Sequence, residues 1–225
     1  MQPLAPRATL GRMQNPVRGL LCGSAAVLSC IGAAALWARG AEAPSQRGAL
    51  LVFGLSLVCL YAVSSLYHSV AWGEVWKQRL QRLDHSMIYV LIAGTFTPMA
   101  AIVLDGWLRW AALLAVWGIA VVGAAQKAFW PHIGQRVSVP LQAAQGWLAV
   151  PLLLPLSERL PGSALLLLVL GGVLYTLGMV AYATQRPRLW PQVFSYHEVF
   201  HVLVVAGSVA HYTMTFAYIA PFAAA

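Results

Sequence analysis

Residues 164–184 read ALLLLVLGGVLYTLGMVAYAT, an unbroken apolar stretch without a charged side chain. A helix needs about 20 mostly apolar residues to cross the hydrocarbon core of a bilayer, so this stretch is predicted to be a transmembrane helix. The rest of the chain has the same character: 60% of its 225 residues are hydrophobic, 9% are charged and the mean hydropathy is +0.72. Soluble domains carry about a quarter charged residues. The composition therefore predicts an integral membrane protein.

Six other stretches have a similar length and composition, and short connections join them. In chain order, the seven predicted spans are Gly19–Trp37, Gly48–Val70, Ser86–Leu104, Trp107–Ala125, Val139–Leu156, Ala164–Thr184 and Tyr196–Ile219. We therefore predict an all-α membrane protein, in which a basic amino-terminal segment (1–18) precedes a single seven-helix transmembrane domain (19–225). The first span exceeds the apolar core of a typical signal peptide, so we expect it to be retained.

The basic residues predict how the bundle is oriented. Ten of the fourteen Lys and Arg residues fall on the side that holds the amino terminus, and four fall on the other side. Short cytoplasmic loops are enriched in Lys and Arg. We therefore predict a cytoplasmic amino terminus and a carboxyl terminus outside. The net charge of +8 is interpreted as an orientation signal, and no nucleic-acid partner is expected.

Three spans carry polar residues at the same predicted depth. The second span ends in SSLYH, residues 64–68, and Asp84 opens the third. The seventh span begins within SYHEVFH, residues 195–201, where His197 and His201 are four residues apart and share a helix face. In the predicted topology these three ends all meet the cytoplasmic leaflet. Because ionisable residues inside spans are costly, their agreement in depth predicts one shared site.

The residue types at this site favour a metal centre. His68, His197 and His201 offer three imidazoles, and three protein ligands with one open position are typical of catalytic zinc. Asp84 is the candidate to orient or deprotonate a water there, and Ser64, one turn before His68, is a candidate hydrogen-bonding partner. The alternative is that His68 and His201 are interfacial histidines and that Asp84 is a helix N-cap.

The remaining histidines and the cysteines are expected to have other roles. His211 follows His201 by ten residues, which places it ~15 Å deeper, so we expect it to bond within the bundle or to line a cavity. His85 is expected to face the surface and His132 to lie in a loop. The cysteines, all within apolar runs and expected to be buried and inert, are Cys22, Cys30 and Cys59.

The order of these segments resembles a known family. SSLYH, a basic loop, LDHSMIYVLIAGTFTP (83–98) and HEVFHVLVVAGSVAHY (197–212) follow one another in a seven-span chain. This pattern resembles the bacterial haemolysin III family, which is similar to the adiponectin and progestin receptors. The resemblance implies a multi-pass protein of the bacterial inner membrane, with a membrane lipid as substrate or ligand. It also implies Zn²⁺ held by His68, His197 and His201, with Asp84 contacting the zinc-bound water.

One stretch departs from the family pattern. Members of the family usually carry a glutamate, an asparagine and a histidine just before the first span. Here the stretch is GRMQNPVRGLL, residues 11–21, in which Asn15 can match the asparagine. Arg12 and Arg18 occupy the other two positions. Whether the first span supports the site in this chain is therefore left open by the sequence.

Four functions are compatible with these residues, and two are favoured. The first is a zinc-dependent hydrolase of a lipid amide or ester, and the second is a non-catalytic membrane sensor or homeostasis factor in which zinc is structural. A pore-forming cytolysin is disfavoured because the fifth and sixth spans carry almost no polar residues. An intramembrane zinc protease, with Glu198 as base in an H-E-x-x-H motif, is disfavoured because no Asp or Glu follows His201.

Overall fold

The computed structural model describes residues 13–40, 44–130, 135–190 and 192–222. The helices in these ranges are α1 (Pro16–Arg39), α2 (Pro44–Ser69), α3 (Glu74–Pro98), α4 (Gly106–Phe129), α5 (Gln135–Trp147), α6 (Ala149–Ser157), α7 (Gly162–Thr184), α8 (Tyr196–Met214) and α9 (Ala220–Phe222). α5 and α6 together form the fifth span. Seven spans are long and apolar enough to cross a membrane. The predicted seven-helix bundle is confirmed.

Prolines account for two irregularities in the spans. Pro98 ends the regular part of α3, and the chain continues in a π-helical turn, Met99–Val103. Pro98 has no N–H to offer the carbonyl four residues earlier, so the regular hydrogen-bond ladder is broken there. The fifth span is interrupted at Leu148, between α5 and α6. The ring of Pro151 would crowd the carbonyl of Trp147, the last residue of α5, and this explains the break.

The third span begins earlier than the predicted boundary at Ser86. α3 starts at Glu74, so the charged segment EVWKQRLQRLDH, residues 74–85, is already helical. Asp84 therefore lies inside the helix, and the prediction that it opens the span is wrong. The alternative that Asp84 is an N-cap is wrong for the same reason. Hydropathy marks only the part of a helix that lipid covers, and it does not register a charged turn that extends beyond it.

α3 occupies the centre of the bundle and is the most buried of the spans. Its neighbours approach closely at two glycines. A Cβ on Gly94 would lie 2.3 Å from the Ser56 hydroxyl oxygen of α2, and a Cβ on Gly123 of α4 would lie 2.5 Å from the ring of Tyr89. Tyr89 is completely buried. These close approaches hold α2 and α4 tightly against α3 in the middle of the bundle.

Candidate metal centre

Three histidines from two helices converge at one end of the bundle. His68 is the penultimate residue of α2, and His197 and His201 lie in the first two turns of α8. Their candidate ligand nitrogens all lie within 4.8 Å of one another. The ring centroids of His197 and His201 are 4.9 Å apart, and that of His68 is 5.2 Å from His197 and 5.1 Å from His201. The cluster predicted from helix depth therefore forms, and it can hold a metal ion.

The ring of His201 is held in a way that suits a metal ligand. Its Nδ1 lies 3.5 Å from the Sγ of Cys22. Its Nε2 is buried and has no hydrogen-bond partner within the described ranges. A ligating histidine usually uses one ring nitrogen for the metal and anchors the other through a neighbouring group. The Nε2 of His201 is thus a buried polar atom that an ion in the cluster would satisfy.

Asp84 and Ser64 lie beside this cluster. Both side chains are buried, and Ser64 lies close enough to interact with the Asp84 carboxylate. Ser64 is also 3.5 Å from the Cys22 thiol, which contacts His201 in turn. A small cavity of about 40 Å³ has both Asp84 and His197 in its wall. Helices α2, α3 and α8 therefore bring together the five side chains that the sequence selected.

Both carboxylate oxygens of Glu198 accept hydrogen bonds, which disfavours a role as general base. Its Oε2 accepts a hydrogen bond from the backbone N–H of Ser195 at 2.8 Å, which forms a capping box at the start of α8. Its Oε1 accepts a hydrogen bond from Nε of Arg18 at 2.6 Å, and both side chains are buried. Glu198 is thus bound on both oxygens, and it anchors the helix turn that carries His197.

Comparisons with known proteins show which family the chain belongs to. Residues 12–212 match the model of the family described as "Haemolysin-III related". The chain belongs to the haemolysin III family. It is 35% identical to Hemolysin-3 of Bacillus cereus over 173 residues, which is 77% of this chain and 76% of that protein. It is 36% identical to the Hemolysin-3 homolog of Bacillus subtilis over 159 residues, 71% of each chain. The Adiponectin receptor protein of Drosophila melanogaster is 25% identical over 223 residues, 82% of this chain and 46% of that protein.

In this haemolysin III family member, the first span braces the site, a question that the sequence left open. Arg18 pairs with Glu198, and Cys22 contacts both Ser64 and His201. The backbone N–H of Asn15 also donates to the carbonyl of His68 at 3.2 Å. The sequence counts Arg18 as an orientation signal and places it at a position that departs from the family pattern; its spacing of one turn from Cys22 on the same helix face indicates that the two can act together. Arg12 lies outside the described residues.

The cysteines divide between two environments. Cys22 is buried at the metal centre, whereas Cys30 and Cys59 are exposed on the bundle surface. The expectation that all three are buried is therefore wrong for two of them. Positions inside an apolar span face either lipid or protein, and hydropathy alone does not tell the two apart.

The other histidines behave largely as expected. His211 is buried, and its Nε2 lies 3.1 Å from the carbonyl oxygen of Leu168. His85 is partly buried and lines the small cavity next to Asp84, so it is less of a surface residue than expected. His132 lies outside the described residues.

A larger apolar cavity, which we call the chamber, adjoins the site. It has a volume of about 310 Å³ and is enclosed by residues of α2, α3, α5, α6, α7 and α8. The chamber and the small cavity beside Asp84 share wall residues, namely Ile88, Gln142, Met179 and Phe200. Residues of the fifth and sixth spans that line the chamber are also exposed, including Trp147, Val150, Val173 and Leu177. The chamber therefore lies between the small cavity beside Asp84 and the lipid-facing surface of these spans.

Proposed function

We propose that the protein is a zinc-dependent hydrolase of a lipid amide or ester in a bacterial cell membrane. The observation that carries the proposal is that the small cavity lined by Asp84 and His197 of the histidine cluster shares wall residues with the apolar chamber. Ligand pockets are typically 300–1,000 Å³, mostly apolar and furnished with a few convergent polar groups. An amphiphile whose chain lies in the chamber would present its polar linkage to the site.

The donor set fits zinc. Three imidazoles are borderline-soft ligands, and three protein ligands leave one coordination position open. The buried Nε2 of His201, whose partner nitrogen is anchored by Cys22, supports a metal in the cluster. When bound, zinc lowers the pKa of water to about 7 and polarises carbonyl oxygens.

Residues of the protein would accept the proton, orient the proton acceptor and hold the acyl chain. Asp84 is the proposed acceptor of the proton that the attacking water loses, because it is a buried carboxylate in the wall of the same small cavity as His197. Ser64 lies beside Asp84 and would donate a hydrogen bond that holds that carboxylate in one orientation. The chamber would keep the acyl chain in place and exclude water from it.

The structural features disfavour the other enzymatic interpretation. An H-E-x-x-H protease uses the glutamate as its general base. Here both oxygens of Glu198 are engaged, one by Ser195 and one by Arg18. Asp84 has no such ion pair among the described residues. The carboxylate on α3 is therefore the better placed proton acceptor.

The test is hydrolysis of a membrane lipid extract by the detergent-purified, zinc-loaded protein, followed by lipidomics with and without chelator. Lipid amides or esters should be consumed and fatty acid released in the zinc-loaded sample alone. Asp84→Asn should lower the rate by about 10²–10⁴-fold while the protein keeps its zinc, as expected for loss of a general base. Glu198→Gln should have a much smaller effect. Full activity in Asp84→Asn combined with no activity in Glu198→Gln would reverse the assignment.

A second candidate is a membrane sensor in which zinc is structural. The observation in its favour is that the cluster joins the end of α2 to the start of α8, so an ion there would cross-link distant parts of the chain. In that case the wild type would turn over no lipid under any condition, while zinc removal would lower its melting temperature. That pair of results would replace the hydrolase with the sensor.

A further inference from the structure

The chamber has a polar group at the end remote from the metal centre. His211 lines the chamber, and it follows His201 on α8 by ten residues, which corresponds to ~15 Å along a helix. Most of the chamber wall near it is apolar. His211 itself is 5% exposed. A buried imidazole in such a wall is a candidate for recognising a polar group on whatever fills the chamber.

The hydrogen bonding of His211 fixes which kind of polar group it can take. Its Nε2 lies 3.1 Å from the carbonyl oxygen of Leu168. A carbonyl oxygen only accepts, so Nε2 must carry the proton, and Nδ1 of the neutral ring is then an acceptor. Nδ1 is buried and has no hydrogen-bond partner within the described part of the chain. The ring therefore lacks a hydrogen-bond donor, such as a hydroxyl or an N–H.

Several nearby protein hydroxyls are engaged elsewhere. Tyr175 packs edge-on to the His211 ring at 5.3 Å between centroids, but its hydroxyl pairs with Ser208 at 2.8 Å. Tyr61 donates to the same Ser208 hydroxyl at 2.7 Å. The hydroxyl of Thr176, also in the chamber wall, donates to a carbonyl of its own helix at 2.8 Å. The missing donor is thus not supplied by these side chains.

The ring is also held in place by close packing. A Cβ on Gly171 of α7 would lie 2.3 Å from Nε2 of His211, so only glycine lets the ring approach this helix. The Leu168 carbonyl and the Tyr175 ring fix its other sides. An acceptor held in one orientation before binding loses little conformational entropy when a ligand arrives.

We infer that His211 is a ligand-recognition residue, and that the chamber takes a single-chain lipid with a hydroxyl or N–H group positioned along its chain to donate to Nδ1. The inference builds on the proposed function by specifying which lipids the chamber prefers. It concerns binding alone and does not require turnover.

The test compares octadecanoic acid with a series of its monohydroxy isomers, in which the hydroxyl is stepped along the chain. Binding to the zinc-loaded, detergent-purified protein is measured by native mass spectrometry. A net hydrogen bond of about 0.5–1.5 kcal/mol corresponds to about twofold to tenfold in affinity. One isomer, or two adjacent ones, should bind the wild type tighter than octadecanoic acid by that factor. Its methyl ether, which cannot donate, should lose the preference.

His211→Phe, which keeps an aromatic ring and removes the acceptor, should abolish the preference. Thr213→Val is the matched control on the same helix, because its exposed hydroxyl bonds only to the carbonyl of Val209. Equal binding of all isomers to the wild type would overturn the inference even if His211→Phe fails to fold. A preference that persists in His211→Phe or in the methyl ether would also overturn it. Lipid hydrolysis without hydroxyl preference would contradict this inference alone, and preference without hydrolysis would contradict the enzyme alone.

Discussion

Removing one partner of the buried ion pair between Arg18 and Glu198 should destabilise the bundle strongly. The Nε and Oε1 atoms are 2.6 Å apart, and the two side chains are only 7% and 4% exposed. Glu198 uses its second oxygen to accept from the Ser195 backbone N–H. In Glu198→Gln the side chain keeps one acceptor for these two donors, so its amide group must face either Arg18 or Ser195. Glu198→Gln therefore removes the negative charge that faces the buried Arg18 guanidinium.

The expected loss can be estimated from buried pairs in other proteins. Removing one partner of a buried pair typically costs about 3–5 kcal/mol. For a chain of this size, about 1 kcal/mol corresponds to about 2–4 °C in melting temperature. Glu198→Gln should therefore melt about 6–20 °C below the wild type, measured by intrinsic fluorescence in detergent with matched zinc loading. Glu158→Gln is the control, because Glu158 is exposed, and it should change little.

A double-mutant cycle isolates the pair. Arg18→Met keeps a long apolar side chain and removes the charge, and the double variant Arg18→Met with Glu198→Gln removes the ion pair altogether. The double variant should lose less unfolding free energy than the two single variants lose together. The difference, the coupling energy, should be about 1–3 kcal/mol. Additive losses, or a Glu198→Gln variant that melts like the wild type, would refute the idea that Arg18 braces the start of α8.

Three other predictions concern other parts of the molecule. A reporter fused to the carboxyl terminus should be active only outside the cytoplasm, and cytoplasmic activity would reverse the predicted orientation. Gly171→Ala should destabilise the protein by about 1–3 kcal/mol through overpacking against His211. Gly172→Ala is the control and should change little, because a Cβ there meets nothing within 4 Å. Equal melting temperatures of the two variants would contradict this packing. Arg159, hydrogen-bonded to Asp105, holds the pKa of that carboxyl below its usual value, so the pair's stabilisation should be lost as the pH falls through that lowered pKa. Asp105→Asn should flatten this acidic part of the melting profile, and an unchanged profile would count against the pair.

The sequence predicts the spans well because their signal is local. Each crossing requires about 20 apolar residues, and the seventh span, Tyr196–Ile219, is predicted with the bounds that the structure has. The third span is the exception, because α3 continues as a helix through the charged residues 74–85. Helix continuity in that segment depends on packing and solvation at the membrane surface, which hydropathy does not measure.

The site was predictable in part because topology places the ends of helices at one depth. That argument brings His68, His197 and His201 together without knowledge of side-chain packing. It does not identify Arg18 or Cys22, because their roles depend on which face of α1 turns toward α2 and α8. The chamber likewise could not be predicted from the sequence, because a cavity forms only where several helices pack together.

The central claim is that the three histidines bind zinc, and its most direct test is the metal content of the purified protein. Zinc is measured by inductively coupled plasma mass spectrometry after zinc loading and removal of free metal. The wild type should carry one zinc per chain, and His68→Ala, His197→Ala and His201→Ala should each lose most of it, because each removes one of three ligands. His211→Ala, buried in the same helix as two of the ligands but remote from the cluster, should keep its zinc. A wild type without bound zinc, or equal zinc loss in His211→Ala and His201→Ala, would contradict the proposed metal centre.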